Sequence, residues 1–141
     1  MLNRIRVETL CHATENQKKI RQALGFVLNG VAEPIVTTTR GYHGNPINIF
    51  SAEILRRKKC RTLIDSWRAR LQHEDLEVLV AEIKNRAEGN KLFLKFDLDA
   101  ALSGRLALGS DHAISAEISI STFSSSPEKA LEEFRGLFAQ V

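Results

Sequence analysis

The sequence predicts an α+β fold: one mixed or mostly antiparallel sheet with helices packed on it. Three observations carry that prediction. Stretches with the two-residue alternation of strands lie beside stretches with the 3.6-residue period of helices. The strands are not regularly interleaved with helices, as the parallel sheets of βαβ folds require. The chain has 141 residues, 43% of them hydrophobic, enough for one core and too few for two, so residues 1–141 are expected to form a single domain.

The elements follow in order. Residues 5–11 set Ile5, Val7, Thr9 and Cys11 on one side and Arg6, Glu8 and Leu10 on the other, a strand pattern. Thr14 and Gln17 have the spacing of a capping box, which predicts a helix starting there. Its buried stripe is Ile20, Ala23, Leu24 and Val27, and Asn29-Gly30 is its stop, with Pro34 beyond. Residues 34–40 and 47–54 read as a β-hairpin, because the segment between them holds Gly41, Gly44 and Pro46. From about residue 55, Cys60, Leu63, Ile64, Trp67 and Leu71 form one apolar helical stripe. A second helix, acidic outside, is expected through Leu76, Leu79, Val80, Ile83 and Ala87, with Gly89 as its stop. Residues 91–98 alternate as a strand, 105–108 suggest a short one, and 113–122 a long one. Ser126 and Pro127 then open a helix that buries Ala130, Leu131, Phe134, Leu137 and Phe138.

Charge is unevenly divided. Residues 1–70 hold thirteen Lys or Arg against five Asp or Glu, a balance of +8; the remainder holds seven against twelve, a balance of −5. One part of the folded surface should therefore attract a polyanion and another repel it. No run of roughly eighteen apolar residues could span a bilayer, so no membrane role and a cytoplasmic location are expected. The two cysteines, Cys11 and Cys60, form no C-x-x-C pair and read as packed thiols.

The sharpest local feature is Arg56-Arg57-Lys58-Lys59 followed by Arg61, Arg68 and Arg70. On a helix, Arg57, Arg61 and Arg68 fall within about 40° of one another, so they could follow a phosphate backbone while Trp67 anchors the helix. A merely solvated cationic face is the alternative. Gly41-Tyr42-His43-Gly44 has the G-x-x-G form that lets backbone approach nucleotides, although it joins strands rather than helices; Arg40, Tyr42 and His43 are RNA-contact candidates there. Phe93 between Lys91 and Lys95 is an aromatic flanked by cations, as base stacking beside phosphates requires, with burial of Phe93 under a helix as the alternative.

Catalytic patterns are sparse. Asp97, Asp99 and Asp111-His112 are the only carboxylate concentration, and a metal-dependent nuclease could use such groups. No recognised metal spacing, Walker loop, dinucleotide fingerprint or nucleophile elbow is present, so neither catalysis nor a cofactor or metal is expected.

The pieces His12-Ala13-Thr14-Glu15, Gly41-x-x-Gly44-Asn45-Pro46-Ile47, Leu92-Phe93-Leu94-Lys95-Phe96-Asp97 running into Ala100-Ala101 and Gly104, and Asp111 occur in one order. In this the chain resembles, over nearly its whole length, an archaeal family of RNA-binding, predicted exosome-associated proteins. Where that family usually shows a basic residue and an amide after the Asp, this sequence has Leu98 and Asp99. The resemblance implies a fold like that of the large-subunit ribosomal protein that binds 5S rRNA, and a role around RNA processing or a ribonucleoprotein. The expectation is a non-catalytic module that binds structured RNA by backbone and shape, with exosome or ribosomal proteins as further partners. The alternatives are a subunit that docks on such a complex through protein contacts, and the metal-dependent nuclease.

Overall fold

The strands β1 (Leu2–His12), β2 (Ile35–Arg40), β3 (Pro46–Ile54), β4 (Ala87–Glu88), β5 (Lys91–Asp97) and β6 (Ala113–Ile120) form one sheet in the order β2-β3-β1-β6-β5-β4, all pairs antiparallel. The computed structural model that shows this describes residues 1–41, 43–109, 111–121 and 126–139. The helices are α1 (Gln17–Leu28), α2 (Arg57–Arg70), α3 (His73–Ala81), α4 (Ile83–Arg86), α5 (Leu98–Leu102) and α6 (Pro127–Phe138). The α+β class and the single, here wholly antiparallel, sheet are as the alternation predicts.

The strand period decides what each face carries. Ile5, Val7, Phe50, Leu92, Leu94, Phe96, Ile114 and Ile118 point to one face and are buried with the apolar stripes of the helices in one core. Trp67 of α2 is wholly buried; its indole Nε1 donates to Val27 O at 2.9 Å and its ring lies 4.9 Å from that of Phe96. The other face is open. Across it run two rows of partners, Phe93–Glu117–Arg6–Glu53 and Lys95–Ser115–Glu8–Ser51, each from β5 through β6 and β1 to β3.

Local chemistry sets several boundaries away from the expected ones. The capping box at Thr14 and Gln17 does not form. Glu15 N donates to His12 O at 2.9 Å and His12 N donates to the Glu15 carboxylate at 3.1 Å, so residues 12–15 make a turn off β1. Asn16 is then the N-cap, its Oδ1 accepting from Lys18 N and Lys19 N. The α1 stop is as expected, with Asn29 left-handed at φ 50°.

The second acidic helix does not run on to Ala87. It breaks at Glu82, α4 is a single turn, and Ala87 pairs with Leu92 as a strand residue. Gly89 is therefore no helix stop; with φ 61° it opens the two-residue turn between Glu88 and Lys91, a position that suits glycine. Residues 98–102 are helical, so Asp99 lies in the first turn of α5 rather than in a loop, and the Asp97 carboxylate caps that helix by accepting from Ala100 N at 2.9 Å. The short strand expected at 105–108 reduces to one bridge between Phe96 and Leu108. Gly109 follows because a Cβ there would come within 2.8 Å of Asp97 Cα. At the C-terminal helix, Ser126 Oγ accepts from Lys129 N and Pro127 opens α6, as read from the sequence. The run Ser124-Ser125 and Thr122, read as cap approach and strand end, lie outside the described residues.

Candidate nucleic-acid interface

The basic residues of α2 divide into two groups with different surroundings. Arg56, Arg57, Lys58 and Lys59 are exposed at its N-terminal end, and none has a salt-bridge partner among the described residues. Arg61 is also exposed, and among the described residues its one ion pair is with Asp65, at 3.8 Å. The first turn of α2 holds no acidic residue, and its N-cap makes no side-chain hydrogen bond.

The C-terminal arginines are engaged by the fold. Arg68 donates to Leu137 O at the end of α6 at 3.2 Å and to Asp65 Oδ1 at 2.9 Å. This departs from the expectation that Arg57, Arg61 and Arg68 act as one row, because the helical wheel gives angle but not height, and Arg68 lies where α6 ends. Arg70 donates to Phe26 O, Val27 O and Ser66 Oγ and stacks over the Phe26 ring, 4.8 Å from its centroid. It closes the last carbonyls of α1, and burial lowers its pKa from the ordinary arginine value.

The hairpin candidates lie far from that patch. Arg40 ends β2 opposite Pro46 and donates Nη1 to Gly44 O at 3.4 Å, and His43 is exposed in the turn. Tyr42 lies outside the described residues. Chain direction fixes the separation: β3 leaves the hairpin at Pro46 and reaches α2 after Ile54, and nine residues of strand span roughly 27 Å.

The third group occupies the open face. Lys91, Phe93 and Lys95 point away from the helices, whereas Leu92, Leu94 and Phe96 point toward them. Phe93 is 42% exposed, so the alternative of burial under a helix does not hold; the helix layer covers the opposite face. Lys91 Nζ pairs with Glu117 Oε1 at 3.1 Å, while Lys95 has no ion pair among the described residues. The three groups of candidates thus form no single continuous surface: one is at the α2 end of the helix layer, one at the hairpin tip, one behind the sheet.

A fourth cluster contains Asp99, Asp111 and His112, which the residue types singled out, and joins to them His12 and Glu15, which only the resemblance had named. At the hairpin end of β1, His112 Nε2 lies 3.2 Å from Glu15 Oε2 and His112 Nδ1 lies 3.8 Å from Asp99 Oδ1. His12, Glu15, Asp111 and His112 share one depression of about 270 Å³, and His12, Gly41, His43 and Asn45 share the next. The signal was present in the ordered pieces at 12–15, 41–47, 97 and 111, which the topology gathers at this end of the sheet. Leu98, which stands where the resembled family carries a basic residue, is buried.

Among the described residues no three His, Cys, Asp or Glu side chains are placed to hold a metal ion. Asp97, one of the three carboxylates a metal-dependent nuclease would need, is committed to capping α5. Cys11 and Cys60 are buried free thiols whose pKa values are raised by desolvation. No helix among the described residues is long and apolar enough to cross a membrane.

A family model described as RNA binding matches residues 4–120, and the chain belongs to that family. It is 28% identical over 138 residues to the RNA-binding protein PAB1135 of Pyrococcus abyssi, covering 93% of this chain and 90% of that one. Among solved structures it is similar to Mth689, a DUF54 protein of Methanothermobacter thermautotrophicus, with a TM-score of 0.79, 28% identity and 99% of each chain covered. The fold also matches AF2318 of Archaeoglobus fulgidus at a TM-score of 0.87 and 22% identity, over 97% of this chain and 99% of that one.

Proposed function

We propose that this member of the family binds RNA through the N-terminal end of α2, with Arg56, Arg57, Lys58, Lys59 and Arg61 contacting phosphates. One observation carries the reading: these cations crowd a helix N-terminus. The helix dipole is positive there, so each exposed cation of the first turn costs roughly 0.3–1 kcal/mol where an acidic residue would stabilise. A purely structural end would favour Asp or Glu. A polyanion reverses the sign of that interaction and can also meet the free amides of the first turn. The family and the printed name of PAB1135 support RNA as the polyanion. The protein then acts as a non-catalytic accessory factor in RNA processing or ribonucleoprotein assembly, reading backbone and shape.

The test is binding to fluorescent structured RNA across a salt series, comparing wild type with R57E/K58E/R61E. Arg68 is left unchanged because it is held by α6. Wild type should show a log-log slope of several units, at about 0.7–0.9 per phosphate contacted, and the variant should lose at least about tenfold in affinity together with two or more units of slope. Equal binding by both proteins, or none by wild type at low salt, overturns the reading.

A second reading, docking to a protein partner of an RNA-degrading complex or ribosome, is favoured by a groove of about 800 Å³ between α2 and α6. Its lining includes the buried Leu2 and Leu137 together with the exposed Arg57 and Arg61. A complex with protein but no RNA whose affinity is unchanged by salt would support it.

A further inference from the structure

We infer that the open face of the sheet holds a pocket for one unpaired nucleobase, selective for guanine, lined by Phe93, Lys95, Ser115 and Glu8. The inference rests on the RNA reading above but uses the opposite face of the molecule, and it names what that RNA would have to offer.

The pocket arises from side-chain size. In the row Lys95–Ser115–Glu8, a short serine on the central strand β6 stands between two long side chains, and the adjacent row supplies Phe93, Glu117 and Arg6. The resulting depression is about 220 Å³, lined by these residues together with Leu94 and Ala116, whose side chains belong to the core on the other face. It is smaller than the roughly 300–1,000 Å³ of clefts for drug-sized ligands, and it suits one planar ring system. Phe93 is the exposed aromatic wall on which such a ring can stack.

The polar groups divide into occupied and unoccupied. Glu117 is held by Lys91 at 3.1 Å and Arg4 at 4.0 Å. Glu8 Oε2 accepts from Arg6 Nη2 at 3.1 Å, which orients the carboxylate and leaves Oε1 without a hydrogen bond among the described residues. The Lys95 ammonium and the Ser115 hydroxyl likewise make none there. A fixed carboxylate beside an aromatic wall accepts best from two adjacent donors. Guanine presents them, as N1–H and the exocyclic amine. Adenine and cytosine set an acceptor nitrogen next to their amine, and uracil flanks its single N–H with two carbonyl oxygens, which a carboxylate repels. Those donors lie on the pairing edge, so the base must be unpaired. Lys95 is placed for the phosphate of the same nucleotide. Glu8 and Ser115 also line the adjoining depression that holds His12 and His112, which gives the strand a path along the sheet.

The experiment is a heteronuclear NMR titration of the intact chain with 5′-GMP, AMP, CMP and UMP, repeated for E8Q and F93A. A parallel assay uses duplex RNA with short G or U tails. GMP should shift the amides of Phe93, Lys95 and Ser115 and bind at least about tenfold tighter than UMP, the discrimination of a bidentate pair. E8Q should bring GMP and UMP to within about twofold, and F93A should weaken every nucleotide by about fivefold or more. Shifts confined to the α2 N-terminus, or a guanine preference that survives E8Q, overturn the pocket. If tailed duplexes bind with the α2-dependent salt slope but G and U tails bind alike, the pocket falls and the RNA reading stands. If no RNA binds, the RNA reading falls, and the pocket is decided by the nucleotide titration alone.

Discussion

The two ends of α2 carry the same kind of side chain and do different things with it. At the C-terminal end, Arg70 donates to two of the last carbonyls of α1 and Arg68 to Leu137 O of α6, so both are tied to neighbouring helices. At the N-terminal end, Arg57, Lys58 and Lys59 face water and work against the helix dipole. A count of basic residues treats the seven as one patch. The hydrogen bonds divide them into five that are exposed and bond to no other helix among the described residues and two that hold helices together.

Stability and binding should separate along the same line. The largest expected effect is at the anchor both ends share: Trp67→Ala removes a wholly buried indole and its bond to Val27 O, and should cost about 3–5 kcal/mol in urea unfolding. Arg70→Ala should cost about 2 kcal/mol, because Phe26 O loses a charged donor and the Phe26 ring its stacked guanidinium, although Val27 O keeps its bond from Trp67, while the salt slope of RNA binding stays at the wild-type value. Loss of slope in that variant would erase the distinction between the ends. Arg68→Ala, one-third exposed, should cost about 1 kcal/mol with the same unchanged slope. Smallest is Phe93→Ala, which should cost no more than about 0.5 kcal/mol in stability because the ring is 42% exposed and lies outside the core. A larger loss would mean that Phe93 supports the fold and does not simply line a pocket.

Much of the fold was legible in the sequence because periodicity is a local property. The stripe Cys60-Leu63-Ile64-Trp67-Leu71 is buried as read, the hairpin closes where Gly41 and Gly44 lie, and Ser126-Pro127 starts α6. The misreadings occur where two local solutions compete. Thr14 and Asn16 are both good caps, and the contact of Glu15 with His12 decided for Asn16. Residues 83–88 carry a helical pattern, yet pairing of Ala87 with Leu92 adds a strand to the sheet edge. The short helix at 98–102 gave little periodic signal in five residues.

By itself the sequence determined which residues alternate and which recur every third or fourth position, since φ/ψ preference and side-chain direction are set within a few bonds. It told Phe93 and Phe96 onto opposite faces of one strand. Only the tertiary structure decided which of those faces the helices cover, because that depends on where α1, α2 and α6 find apolar area to bury. The same holds for the cations: composition supplied them, but whether an arginine meets a carbonyl or water was settled by which helix end lies within reach.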